Sequence, residues 1–321
     1  MNRHHPQALL GCAALTAVAA LTGCGSDIED NDTAAGASDC GTVDMAINPW
    51  VGYESNAHVV GRVAETELGC TMNYVDLDEQ TSWKGFGDGD VDVIIENWGH
   101  EDLVKKYVEG EGTAELAGLT GYEGIIGWYV PPWMAEEYPD ITNWENLNKY
   151  ADLFETPESD GQGQLLDGDP GYVTYDEALV KNLDLDYKVV VGGSETALIE
   201  AFRSAQENKT PLLAYFYEPQ WFFNEMDLVR VNLPTYKPGC DADPQEVDCD
   251  YPVYDLNKVV AADFAESGSP AYDLVTNFQW TAEDQNTVSE MISEQGMDPD
   301  EAADQWIADN QDTVDQWLAA G

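Results

Sequence analysis

Trp50, Trp98 and Tyr217 share one feature. Each stands at or just past the C-terminal end of an apolar run with strand character: VDMAINPW, VDVIIENW and PLLAYFYEP. In open α/β sheets, ligands bind beyond the carboxyl ends of parallel strands. Three large rings at three such ends exceed what core filling requires and point to a site built from ring faces. A quaternary ammonium needs such a site, because it carries charge but no N–H donor. The negative face of each desolvated ring attracts it by about 2 kcal/mol. A sugar or an apolar solute stacked on the rings is the alternative. Within YFYEPQW, residues 215–221, the strand period puts Tyr215 and Tyr217 on one face and Phe216 on the other. Tyr215 lies deeper and is expected in the core. Trp221 is expected in a following helix whose first turn holds Pro219.

A second element could serve the other end of a ligand. DPGYVTYDEA (169–178) follows a strand and opens a helix, so backbone N–H groups near Gly171 and Tyr172 are placed to receive an anionic group. A plain turn and cap is the alternative. Glu96 and His100 flank Trp98, and Trp128 and Tyr129 lie on a long strand closed by two prolines. Glu218 follows Tyr217 and either complements a cation or sits as a helix N-terminal charge.

The elements that must position these residues read as two α/β sets. From Cys40 the order is strand, helix (54–68), strand, short helix and buried strand, a βαβαβ pattern with parallel strands. A second set follows: the strand GQLLDG, a helix from Tyr175 to Leu183, the strand YKVVVGG, the helix SETALIEAFRSAQ and the strand PLLAYFYEP. The C-terminal part is mostly helical, with Trp306, Ile307, Val314 and Leu318 as a core stripe. The expected fold class is α/β with two lobes and a ligand cleft between them. Residues 40–124 begin lobe 1, 125–228 form lobe 2 and 229–321 complete lobe 1. The crossings are expected near 120–125 and 226–232.

Residues 1–23 read as a secretory signal, with Arg3 before an apolar run from Ala8 to Leu21. The run ends in Leu21-Thr22-Gly23-Cys24, which resembles the bacterial lipobox. Cys24 is thus expected to carry lipid and residues 24–39 to form a flexible tether. That places the protein outside the cell, anchored to the outer face of the membrane by lipid alone. Of six cysteines, Cys12 leaves with the signal and Cys24 is lipidated. Four remain, an even number that favours disulfides in an exported chain. Cys240 and Cys249 bracket a polar loop and are expected to pair. Cys40 and Cys70 each precede a strand and meet if those strands pair.

The charge is extreme, with 62 acidic residues against 13 basic ones and a net −49. Such a surface has nothing to neutralise phosphates and excludes nucleic acid as a partner. The acidic loops 88–92 and 241–250 lack the glycine that a calcium loop needs at its sixth position and read as turns. The sequence holds no G-x-S-x-G, P-loop or H-E-x-x-H motif, so no catalytic residue, cofactor or metal is expected. An exported carbohydrate-binding protein or glycoside hydrolase remains the competing reading. Among so many carboxylates, however, a catalytic pair has no specificity.

The chain resembles the substrate-binding lipoproteins of ABC importers for glycine betaine, choline and related compatible solutes. The likeness runs from about Cys40 to Leu318. It is carried by INPWVGYESNAHVV, VDVIIENWGH, GWYVPPW, DPGYVTYDEA and AYFYEPQW in that order. It implies a bilobal type II periplasmic-binding fold that closes on its ligand. An aromatic cage would hold the trimethylammonium, and donors in the other lobe would hold the carboxylate. By position, Trp50 and Trp98 fall on cage tryptophans, Tyr217 stands where members usually show Trp, and Tyr172 lies beside a ligand contact. Choline-binding members have an acidic residue where this chain has Gly52, which favours a zwitterion. The implied partners are a quaternary ammonium ligand, a permease and its ATPase, with the binding protein a monomer. Three rings and two charge-assisted hydrogen bonds, less association costs, correspond to roughly micromolar affinity.

Overall fold

A computed structural model describes residues 40–319. The signal segment, Cys24 and the tether lie outside the described residues. Alternating or fully apolar runs form the strands: β1 (Thr42–Ile47), β2 (Thr71–Asp76), β3 (Val93–Asn97), β4 (Ala114–Val130), β5 (Gly163–Asp167), β6 (Tyr187–Val191), β7 (Ala214–Glu218), β8 (Val229–Arg230) and β9 (Val253–Ala261). They join in one sheet of order β2-β1-β3-β9-β4-β7-β5-β6, with β8 paired to β4. One end is parallel, β1 lying between β2 and β3. The other end is also parallel, β5 lying between β6 and β7. Between them run β4 and β9, antiparallel to each other and to β7 and β3 respectively. The two parallel sets are the two lobes, and these long strands join them.

Helix α1 (Val51–Leu68) packs its small and branched residues Ala57, Val60, Val63 and Ala64 into the core and stops at Gly69, whose φ of 71° suits a left-handed helix end. Helix α2 (Glu79–Asp88) starts on Asp78, whose carboxylate accepts from Thr81 N at 2.9 Å. In the C-terminal part Trp306, Val314 and Trp317 are buried, and the Trp306 and Trp317 rings stack with centroids 5.7 Å apart. Ile307 and Leu318 are half-buried beside them. Cys40 pairs with Cys70, tying the start of β1 to the start of β2, and Cys240 pairs with Cys249. No described helix is long and apolar enough to cross a membrane.

The sequence and the structure differ at two places. The return from lobe 2 comes later than 226–232. Val231 N still donates to Trp128 O, Asn182 holds the carbonyls of Gln245 and Val247, and Tyr251 bonds Asp176. The return is made by β9. Pro219 follows Glu218 through a cis peptide, and a four-residue 3-10 turn, Trp221–Asn224, replaces the expected helix. Gln220 provides its cap by accepting from Phe222 N.

Candidate functional site

The strand ends deliver the rings to one place. Trp50 follows β1 as the residue before α1, Trp98 follows β3, and Tyr217 is the penultimate residue of β7. Tyr172 stands in the loop after β5. Together with Glu79, Ile126, Val173 and Tyr215, they line a small cavity of about 20 Å³. The rings meet edge to face across the lobes: Trp50 with Tyr172 at 5.7 Å between centroids, and Trp98 with Tyr217 at 5.7 Å. Tyr172 and Tyr217 meet in the same way at 5.9 Å. All five aromatic rings are less than a tenth exposed, so the faces they present are desolvated.

Two glycines seat these rings. A Cβ on Gly124 of β4 would lie 2.6 Å from the Trp98 ring, and one on Gly168 would lie 2.7 Å from the Tyr172 ring. Contacts that close leave room for hydrogen alone. Hydrogen bonds then fix the tilts. Both indole N–H groups donate to Oε1 of buried Glu96, Trp50 at 2.9 Å and Trp98 at 2.6 Å. Glu96 Oε2 accepts from Asn56, Tyr122 and Gln285.

Buried carboxylates also tie lobe to lobe. Glu195, the first residue of the helix Glu195–Asn208, accepts from the Tyr217 hydroxyl and Gln220 with Oε1. Its Oε2 accepts from Val51 N, at the start of α1 in the other lobe, at 3.0 Å. Burial raises the Glu195 carboxyl above its usual range despite these donors. The Tyr172 hydroxyl makes a second tie by donating to Pro49 O at 2.8 Å. Burial, and then the charge of Glu195, holds the Tyr172 and Tyr217 phenols protonated well above their ordinary pKa. Glu79 is paired with His100 at 2.8 Å. Burial raises the Glu79 carboxyl, with His100 opposing. Burial pulls His100 down, but the bond to Glu79 outweighs it and leaves the imidazole raised.

Several sequence expectations move. Trp50, Trp98, Tyr217 and Tyr172 come together, and Tyr215, expected in the core, lines the cavity beside Tyr217. Gly171 N and Tyr172 N are both held by Asp169, at 2.8 and 3.0 Å, as in a turn and cap, while Val173 N, next in the loop and on the cavity wall, makes no hydrogen bond among the described residues. Trp128 is fully buried away from the cavity, donating to Asp176 at 2.7 Å. Glu218 accepts from Tyr129 at 3.2 Å, on the far side of the strand end, and neither residue is among those lining the cavity. His100 stands behind Glu79. At Gly52, a Cβ would press within about 3.1 Å of the Gln285 side chain, which fills that space.

Glu79 and Glu195 were not found from sequence. Each sits in the first turn of a helix, where an acid is ordinary, and nothing local shows that its side chain faces another element. Tyr215 had a signal in its shared face with Tyr217, but depth along the strand argued against it.

A family model described as the substrate binding domain of ABC-type glycine betaine transport system matches residues 41–309. The trimethylamine N-oxide-binding protein of Pelagibacter ubique is 24% identical over 273 residues, covering 81% of this chain and 85% of that protein. The glycine betaine/carnitine transport binding protein of Listeria monocytogenes is 28% identical over 154 residues, 47% of each. Among solved structures, the lactococcal protein closed on glycine betaine superposes with a TM-score of 0.68 at 23% identity, covering 87% of this chain and 99% of that one. A choline binding protein in complex with choline gives 0.71 at 19% identity, covering 87% and 92%. At these identities the likeness is one of fold, the type II periplasmic-binding fold.

Proposed function

Since the chain belongs to the family of substrate-binding domains of ABC-type glycine betaine transport systems, we propose that it captures a quaternary ammonium compatible solute, glycine betaine or a relative, and delivers it to an ABC permease and its ATPase. One observation carries this reading: Trp50 and Trp98 from one lobe and Tyr172, Tyr215 and Tyr217 from the other converge on a single buried cavity. Ring faces from both sides enclose a methylated nitrogen and gain from its charge. The solutes in the relatives' names share that group. Family membership leaves the carbohydrate reading without support.

In this reading the protein works outside the cytoplasm without catalysis, as a monomer held at the membrane by lipid on Cys24 after loss of residues 1–23. Residues 40–124 and the C-terminal helices move as one lobe about β4 and β9, and the segment beginning at 125 moves as the other. Trp50, Trp98, Tyr172 and Tyr217 are the ligand contacts, joined by Tyr215.

Calorimetric titration of the purified full chain with glycine betaine, choline, proline betaine and a neutral sugar tests the proposal. The expected result is roughly micromolar binding of at least one quaternary ammonium and none of the sugar. Binding of the sugar alone, or release of a product, would overturn it.

A further inference from the structure

Glu195 and the Tyr172 hydroxyl cross between the lobes beside the cavity. A third crossing lies away from it. Arg203, on the helix Glu195–Asn208 of lobe 2, donates from Nη2 to Glu294 at 2.6 Å. Glu294 closes the helix Ala282–Ser293, where an acid is unfavourable and a facing cation offsets it. That helix is packed on lobe 1: its Gln285 donates to Gly52 O at 3.1 Å, and its Ser289 hydroxyl meets that of Ser55 at 2.9 Å. Among the ion pairs between described residues, Arg203–Glu294 is the one that joins the lobes. One helix of lobe 2 thus grips lobe 1 at two places, by Glu195 at its start and by Arg203 about two turns on.

The other contacts of Arg203 stay within lobe 2. Its Nε and Nη2 hold Glu225, and its Nη1 holds Glu200 at 3.0 Å. The guanidinium carbon lies 5.7 and 5.6 Å from the ring centres of Trp221 and Phe222. These contacts do not depend on closure, so opening the lobes takes away Glu294 alone. Without the cation, closure would set Glu294 against Glu200 and Glu225, three carboxylates of one sign. In a chain of net charge −49, repulsion of this kind opposes the joining of any two surfaces, and Arg203 relieves it here. The side chains of Arg203 and Glu294 are 30% and 49% exposed, so salt reaches the pair.

Resting on the reading that the lobes close on a quaternary ammonium, we propose that Arg203 is a positioning residue for capture. By pairing with Glu294 it holds the closed form and sets how long the ligand stays. It is not among the residues lining the cavity, so it acts on dissociation and leaves the ring faces as they are.

The test is stopped-flow tryptophan fluorescence of the full chain with choline and with glycine betaine. It compares the wild type, Arg203→Gln, Arg203→Lys and the double variant Arg203→Gln with Glu294→Gln, each checked for folding by circular dichroism. Salt is set at about 0.01 M and about 1 M, where charges are screened beyond roughly 30 Å and 3 Å. Arg203→Gln is expected to dissociate about threefold faster or more at low salt, with association within about twofold of the wild type. At high salt the difference should disappear. Arg203→Lys, which keeps the charge, should stay within about twofold of the wild type. Adding Glu294→Gln to Arg203→Gln should slow dissociation again, because it removes the carboxylate left facing two others. Dissociation unchanged in Arg203→Gln would overturn the inference while leaving the cage intact. So would a loss that persists at high salt and is not relieved by Glu294→Gln, as a purely structural role requires. Binding of neither probe by the wild type would remove the functional reading, and the inference with it.

Discussion

Trp50 and Trp98 share one hydrogen-bond acceptor: both indole N–H groups donate to Oε1 of Glu96. A single buried carboxylate thus sets the tilt of the two rings that lobe 1 presents to the cavity. Glu96→Gln keeps the size but puts a single carbonyl oxygen where two carboxylate oxygens served five donors. A buried donor left without a partner costs about 1–3 kcal/mol. Binding of a quaternary ammonium should weaken at least fivefold, measured by calorimetry on protein whose folding is verified by circular dichroism. Unchanged affinity would show that ring tilt is set elsewhere.

Gly124 leaves space for the Trp98 ring. Its Cβ position lies 2.6 Å from one ring atom and 2.9 Å from another, and also 2.9 Å from Leu256. Gly124→Ala must therefore displace the indole from its bond to Glu96. The expected outcome is at least a tenfold loss of affinity together with a shift in tryptophan fluorescence. An unaltered emission spectrum would contradict this account of how the ring is seated.

Lys258 is fully buried on β9, and its Nζ donates to the carbonyls of Thr276 and Phe278 at the end of the helix Pro270–Asn277. Burial lowers its pKa from 10.5 to about 7. Between those values the unfolded chain holds a proton that the folded protein releases. Stability from this group therefore rises with pH across that window, by up to about 1.4 kcal/mol per pH unit. Below pH about 7 the cost of the buried charge is fully present. Urea unfolding at pH 7 and pH 9.5 should show this rise, and Lys258→Met should remove it. The same slope in both proteins would contradict it.

Local sequence carried much of the fold. The period-2 and helical patterns located β1 to β3, β5 to β7 and α1 within a few residues, and the strand ends carried three of the five cavity rings. The contacts that decide the site's polarity were not local. Val51 N meets Glu195, and Trp50 meets Glu96, only once the sheet has brought distant elements together. At Gly171 a local contact was missed instead: Asp169, two residues earlier, accepts from its N–H. The return crossing was misplaced because β8 is a two-residue strand and the long partner of β4 lies beyond the Cys240–Cys249 loop.

The central claim is that the desolvated ring faces hold the ligand. It is tested most directly by the affinity of Trp98→Ala for choline, measured by calorimetry beside the wild type. Loss of one ring, at about 2 kcal/mol, predicts weakening of at least tenfold with folding retained. An affinity within twofold of the wild type would contradict it.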